Sequence, residues 1–74
     1  METIGNRAFK ELKKRARENG ISVTNESLKL GITGHSLADW KHGKSNPSAY
    51  YLQQMALAGY DVIYILTGER RSND

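Results

Sequence analysis

Four residues near the middle of the chain, Gly34, His35, Ser36 and Asp39, have types that make or permit hydrogen bonds to another molecule. The His35 imidazole and the Ser36 hydroxyl can each donate or accept, whereas the Asp39 carboxylate only accepts. Gly34 has no side chain, so another molecule can come close to its backbone. The set is therefore suited to recognising polar edges on a partner.

The sequence around these residues predicts two short helices joined by a tight turn. Gly31 suits a turn position with positive φ, and the Thr33 hydroxyl can cap the helix that follows. Leu37 and Trp40, three residues apart, give that helix one narrow apolar side, which we expect to be core. This is the pattern of a helix-turn-helix, whose second helix fits the major groove of DNA with its first residues at base edges.

The rest of the chain predicts three further helices, one before this pair and two after it. The first covers residues 3–18 and ends at Asn19–Gly20, with apolar residues at three- and four-residue intervals. The helix before the turn is predicted over residues 24–30, with Leu28 and Leu30 as its large apolar residues, and the helix after it over residues 34–41.

Towards the C-terminus, Ser48 can cap a helix over residues 49–58, with Leu52, Met55 and Ala56 facing the core. Asp61 can cap a last helix over residues 62–67. Val, Ile and Tyr in this segment also fit a strand, but no other segment alternates to pair with it, so helix is preferred. The sequence thus predicts an all-α domain over residues 1–68, followed by a tail or the start of a linker at 69–74.

Composition narrows the function classes. The 74 residues include 11 Lys and Arg against 8 Asp and Glu, a net charge of +3 that mildly favours polyanionic partners. There is no cysteine, so neither a disulfide nor a thiolate zinc site supports the core. No apolar run is long enough for a membrane span, and no signal peptide is recognisable, so we expect a cytoplasmic protein that does not bind membranes.

The residues that usually carry catalysis or bind metals do not form a recognisable pattern. There is no glycine-rich phosphate loop after a strand, no Cys or Ser placed with a His and a carboxylate, and no carboxylate pair in a recognisable pocket-forming context. His35 and His42 are seven residues apart, but no third histidine joins them. We therefore expect no enzyme activity, no cofactor, no metal and no small-molecule substrate.

Several short motifs occur in a characteristic order: Gly20-Ile21-Ser22, Leu30-Gly31-Ile32-Thr33, Trp40-Lys41-His42-Gly43-Lys44, Pro47-Ser48 and Tyr64-Ile65-Leu66-Thr67-Gly68. Residues 4–68 thereby resemble the Cro/cI-type (XRE-like) helix-turn-helix domains of phage repressors and bacterial transcription regulators. The family usually has a Gln and then a Leu-Ala pair in helix two, where this chain has Val23 and then Glu26-Ser27. The resemblance implies a compact five-helix bundle of the lambda-repressor-like type that binds operator DNA as a dimer and regulates transcription in a phage, prophage or bacterium.

Site residues follow from this resemblance. It implies that the start of helix three contacts bases, through Gly34, His35, Ser36 and Asp39. It implies phosphate contacts from a second set: Thr24, Asn25, Lys41, His42, Lys44, Asn46 and Ser48. Asp39 has an alternative role, pairing with Lys41 or Lys44 on the surface. The sequence also leaves open whether the basic residues of helix one are a solvated face or further phosphate contacts: Lys10, Lys13, Lys14, Arg15 and Arg17.

The last helix predicts a surface for self-association. Val62, Ile65 and Leu66 are expected in the core, whereas Ile63 points outward, with Tyr60 and Tyr64 extending the same apolar patch. A two-fold homodimer, at least on DNA, is one interpretation, and a short helix buried on nearly every side is the other. A different class of function also stays open, a protein-interaction or antitoxin-like module that uses this helix. The sequence does not distinguish a complete short regulator from the first domain of a longer repressor.

Overall fold

The computed structural model describes residues 1–70, and this part of the chain forms five α-helices and no strand. They are α1 (Ile4–Asn19), α2 (Val23–Lys29), α3 (Gly34–Lys41), α4 (Ala49–Leu57) and α5 (Val62–Thr67). The predicted all-α class and the number of helices are confirmed. Of the predicted tail, residues 71–74 lie outside the described residues.

Each helix begins at a polar residue whose side-chain oxygen accepts a hydrogen bond from a backbone N–H three residues later. The five caps are Thr3, Ser22, Thr33, Ser48 and Asp61. Such caps satisfy N–H groups that have no partner inside the helix, and so they fix where the helix starts. The caps expected at Thr33, Ser48 and Asp61 are confirmed. Helix α1 begins and ends one residue later than predicted, α2 begins and ends one residue earlier, and α4 ends one residue earlier.

Helix α1 packs against α2, α3 and α5, while α4 packs on α5. Small and apolar residues of α1, Ala8, Leu12 and Ala16, are buried along one side. The core that forms against them is a single cluster: Ala8, Leu12, Ile32, Leu37, Trp40, Met55, Tyr60 and Ile65. The long amphipathic helix predicted at the N-terminus is therefore the scaffold on which the shorter helices are held.

Two arginines of α1 reach the C-terminal ends of other helices. Arg7 Nε donates to the Ile65 carbonyl at 2.8 Å, in the last turns of α5. Arg15 donates from its two Nη atoms to the Ala58 and Gly59 carbonyls, at 3.1 and 3.2 Å, after the end of α4. Helix C-termini leave carbonyls without partners and carry partial negative charge, so a guanidinium stabilises them. Arg15 is therefore not part of a free basic face.

The first turn of α1 fits closely against the segment that follows α3. A Cβ placed on Gly5 would lie 2.3 Å from the Ser45 carbonyl oxygen and 3.2 Å from the Trp40 Cα. The Gly5 N–H donates to Asn46 Oδ1 at 2.9 Å. Glycine at this position therefore lets the α3–α4 connection lie directly on α1.

Two expectations for the core are wrong. Ala56 and Leu66 were expected to face the core but are exposed, Leu66 by 44%. In α2 the large apolar Leu28 is exposed, and the buried residues are Glu26 and Ser27. Periodicity fails here because a helix of six to nine residues has few turns from which to set the orientation of its apolar side.

Candidate nucleic-acid interface

Helix α3 is held by one narrow side. Leu37 and Trp40 are buried, as predicted, and the Trp40 ring meets the Tyr51 ring edge-on with centroids 5.5 Å apart. The turn before α3 contains Gly31 with φ of +74°, and Thr33 Oγ1 accepts from the Ser36 N–H at 3.1 Å. Anchoring through two residues leaves the opposite side of the helix outside the core.

The outward side of α3 carries an imidazole next to a carboxylate. His35 Nε2 lies 3.4 Å from Asp39 Oδ2, one helical turn away, and the His35 side chain is 87% exposed. The alternative pairing of Asp39 with Lys41 or Lys44 does not occur in the structure, because the carboxylate lies beside His35 instead. Together the two side chains offer a donor and an acceptor at neighbouring positions.

The other two predicted base-contact residues lie on the flanks of α3. Ser36 is half-buried, and its hydroxyl oxygen accepts from Thr33 Oγ1 at 3.1 Å, which occupies part of its hydrogen-bonding capacity. Gly34 is exposed, and a Cβ built on it would meet no heavy atom within 4 Å. The backbone at the start of α3 is thus open to a close approach.

One groove joins the first turn of α2 to α3. It has a volume of about 270 Å³, and its lining includes Thr24, Gly34 and Lys41, all from the predicted site, together with Phe9 of α1. The structure therefore brings residues expected to contact bases and residues expected to contact phosphates to one concave surface. We call this the α2–α3 groove.

The remaining predicted phosphate contacts are spread over three places. Asn25 is exposed in the first turn of α2, and His42 is exposed at the C-cap of α3. Lys44 and Asn46 are exposed in the α3–α4 connection, although the side-chain Oδ1 of Asn46 already accepts from the Gly5 N–H of α1. Ser48 caps α4 by accepting from the Tyr51 N–H at 3.3 Å. Asn46 and Ser48 therefore have structural roles besides any contact with a ligand.

A residue that the sequence analysis did not single out, Asn6, supports the end of α3. Its Nδ2 donates to the Trp40 carbonyl at 2.9 Å and to the Lys41 carbonyl at 3.2 Å, while its Oδ1 accepts from the Thr3 N–H. The Thr3…Asn6 spacing is that of a capping box, which was available from the sequence. The contact with α3, 34 residues away, was not.

Behind α2 lies a buried polar pair. Tyr60 donates from its hydroxyl to Glu26 Oε2 at 2.7 Å, and Asn19 Nδ2 donates to Glu26 Oε1 at 3.2 Å. Lys29 Nζ is 3.8 Å from the same carboxylate, and the Arg15 guanidinium lies over the Tyr60 ring, 4.1 Å from its centroid. These contacts fix α2 to α1 and to the start of α5.

The contacts within this pair shift the pKa of both the Glu26 carboxyl and the Tyr60 hydroxyl. Burial alone raises the pKa of the Glu26 carboxyl, but the hydrogen bonds from Tyr60 and Asn19 and the nearby cations outweigh it, so the net pKa is below its usual value. For Tyr60, burial and then the hydrogen bond to Glu26 raise the pKa above its usual value. The native structure therefore favours an ionised carboxylate and a neutral phenol.

The predicted self-association patch is only partly present. Tyr60 was expected on the surface and is 7% exposed, so this expectation is wrong; its ring is needed in the core and its hydroxyl by Glu26. Tyr64 is half-buried, with the Arg70 guanidinium 3.9 Å above its ring centroid. Ile63 is 41% exposed, and the other exposed large apolar residues of α4 and α5 are Leu57 and Leu66, together with Tyr50 at the start of α4.

Arg70 itself lies in the predicted tail but makes defined contacts. Its Nη2 is 2.8 Å from Glu11 Oε2, and its Nη1 is 3.4 Å from Asp61 Oδ2. The chain thus stays attached to α1 for two residues after Gly68.

Residues 1–70 contain no group of three or more histidine, aspartate and glutamate side chains that could hold a metal ion. In the same part of the chain, no helix combines the length and the apolar character that crossing a bilayer requires. No family model matches the chain, and neither a curated protein nor a solved structure matches it.

Proposed function

We propose that the chain is a sequence-specific, non-enzymatic DNA-binding regulator of the lambda-repressor-like helix-turn-helix type, with α3 entering the major groove of an operator. The observation that carries the proposal is the arrangement of α3, whose buried side chains are Leu37 and Trp40 and whose opposite side carries the exposed His35 next to the half-buried Asp39. The major groove, about 12 Å wide, admits one helix in this way.

The α2–α3 groove supports the same assignment. Thr24 at the start of α2 and Lys41 at the end of α3 line the same groove as Gly34, so groups that could hold phosphates share a concave surface with backbone that could approach bases. The net charge of +3 favours a polyanion. A cytoplasmic location follows from this role and is part of the proposal.

Duplex DNA binding is tested by titrating the protein against a labelled duplex at increasing salt. We expect log affinity to fall linearly with log salt, with a slope of about −0.9 for each phosphate contacted. Lys44→Ala should weaken binding to all sequences alike. Absence of binding at about 50 mM salt, where counterion release is most favourable, would contradict the proposal.

Base readout is tested by selecting bound fragments from a random duplex pool with the wild type and with His35→Ala. We expect the variant to lose about 1–3 kcal/mol of discrimination at one base pair in each half-site, with little change in non-specific affinity. His42→Ala is the matched control, because His42 is the other exposed histidine but lies after the end of α3; as a predicted phosphate contact it should affect all sequences alike and leave the base preference unchanged. Equal preference profiles for wild type and His35→Ala would place the base contacts elsewhere.

We further propose a homodimer through the apolar residues that α4 and α5 leave exposed. Leu57, Ile63 and Leu66 support it; Ile63 is kept from the predicted patch, and Leu57 and Leu66 take the place of Tyr60 and Tyr64. A two-fold contact would set two α3 helices about 34 Å apart, one turn of DNA.

The same three side chains also favour a second candidate, a protein-interaction or antitoxin-like module that covers them with another protein. Salt distinguishes the two functions. Binding through phosphates weakens steeply as salt rises, whereas an apolar protein contact does not.

A further inference from the structure

A second groove runs along the first turns of α1. Its lining residues are Glu2, Asn6, Phe9, Lys10, Lys13 and Lys41, and its volume is about 470 Å³. Phe9 and Lys41 also line the α2–α3 groove, so the two grooves adjoin each other. We call this second one the α1 groove.

The charges around the α1 groove are unbalanced. Lys10 forms an ion pair with Glu2, the one carboxylate of the lining. Lys13 and Lys41 form no ion pair with any of residues 1–70, and Lys41 Nζ lies 6.0 Å from the centroid of the Phe9 ring. Like charges on two helices repel each other in the free protein, and a bound anion would relieve this repulsion.

The shape of the α1 groove favours an extended anion. Its α1 residues run from Asn6 to Lys13, which is about 10 Å of helix at ~1.5 Å per residue, and Glu2 extends the lining before the helix begins. Because this length continues directly from the α2–α3 groove, a strand held beside α3 would pass over Lys13.

We propose that the α1 groove binds the sugar–phosphate backbone of the same duplex, just outside the base pairs that α3 reads, with Lys13 and Lys41 as its phosphate contacts. This inference rests on the proposed DNA-binding function. It assigns a binding role to α1, and it distinguishes Lys13, a proposed phosphate contact, from its neighbour Lys14, which does not line the groove.

The test compares Lys13→Ala with Lys14→Ala in salt titrations on two duplexes. One duplex ends at the base pairs protected by α3, and the other extends about half a turn, ~5 base pairs, on each side. On the extended duplex, Lys13→Ala should reduce the salt slope by about 1, so that raising salt from about 50 to about 200 mM costs roughly 3.5-fold less affinity than in the wild type. On the short duplex Lys13→Ala should equal the wild type.

Lys14→Ala is the matched control, since both lysines are exposed on consecutive positions of α1 and neither has an ion pair within residues 1–70. We expect it to leave the slope unchanged on both duplexes. Equal slopes for Lys13→Ala and the wild type on the extended duplex, or equal losses for the two variants, would overturn the inference. If Lys44→Ala still shifts the slope in that experiment, the DNA-binding function stands without it.

Glu2→Gln provides a test of opposite sign. Removing the carboxylate takes away a charge that repels phosphates and frees Lys10 from its ion pair. We expect tighter binding of the extended duplex and a steeper salt slope. Unchanged or weaker binding would contradict a phosphate strand in this groove.

Discussion

At the scale of single residues, the least expected feature is a carboxylate of α2 that lies in the core. Glu26 is 4% exposed, a degree of burial that is rare for a carboxylate, and it is surrounded by hydrogen-bond donors. Burial of a carboxylate is tolerated when its oxygens are satisfied, and both Glu26 oxygens have a donor. The orientation of α2 therefore depends on Tyr60 and Asn19 as well as on apolar packing.

Replacing Tyr60 with Phe should show how much this hydrogen bond contributes. The change leaves a buried carboxylate with one donor fewer, so we expect a loss of about 1.5–3 kcal/mol in the free energy of unfolding, measured with urea. Tyr50→Phe is the control, because Tyr50 is exposed and its hydroxyl makes no hydrogen bond within residues 1–70; it should change stability by less than about 0.5 kcal/mol. Equal effects of the two variants would contradict a stabilising role for the Glu26–Tyr60 hydrogen bond.

The same pair predicts a loss of stability at both ends of the pH range. The native pKa of Glu26 is below the usual 4.5, so its contribution is present above pH 4.5 and is lost as pH falls through the native value. The native pKa of Tyr60 is above the usual 10.0, so its contribution is present below pH 10 and is lost as pH rises beyond it.

Urea midpoints measured from about pH 3 to about pH 11 test this dependence. In Glu26→Gln, which keeps an acceptor for the Tyr60 hydroxyl but does not titrate, the decline at low pH should be smaller than in the wild type. An identical acid decline in both proteins would show that other carboxylates cause it.

At the scale of elements, the position of the α3–α4 connection is set by α1. Gly5 touches this connection, whereas Gly34, the other helical glycine, has open space where a Cβ would be. The same substitution at these two positions should therefore have opposite effects.

We expect Gly5→Ala to lower stability by about 1–3 kcal/mol, because the new methyl group requires the Ser45 carbonyl to move. Gly34→Ala should raise stability by about 0.4–1 kcal/mol, because it restricts the unfolded chain without a clash. Thermal unfolding of the two variants measures both changes. A destabilised Gly34→Ala, or a neutral Gly5→Ala, would contradict the packing described for these elements.

Local sequence signals were sufficient for the elements that carry their own caps and turns. The bounds of α3, the positive φ of Gly31 and the caps of α4 and α5 could all be predicted, because each depends on residues within a few positions. The buried side of α2 and the exposure of Leu66 could not, because both depend on distant partners. Tyr60 was assigned to the surface for the same reason, since its partner Glu26 is 34 residues earlier.

At the scale of the whole molecule, polar and apolar surfaces are carried by different helices. The polar residues of the candidate interface come from α2, α3 and the connection after α3, whereas the exposed apolar residues Leu57, Ile63 and Leu66 come from α4 and α5; Leu28 of α2 is the exception, being apolar and exposed. A dimer built from α4 and α5 would therefore leave α3 free. Because this apolar surface is small, we expect two copies of the protein to associate weakly in solution. On a duplex with two half-sites they should associate firmly, because the DNA raises the effective concentration of one copy near the other.

Ile63→Glu tests the dimer. The side chain is 41% exposed, so the charged replacement can reach water and the monomer should remain folded, with an unchanged circular dichroism spectrum. A carboxylate placed within an apolar contact would be desolvated without a partner, so cooperative occupation of two half-sites should be lost while binding to a single half-site is kept. Sedimentation without the duplex measures the association of the free protein, and sedimentation with the duplex measures how many copies occupy it. An unfolded variant would show that Ile63 belongs to the core, and unaltered cooperativity would show that the two copies meet through another surface.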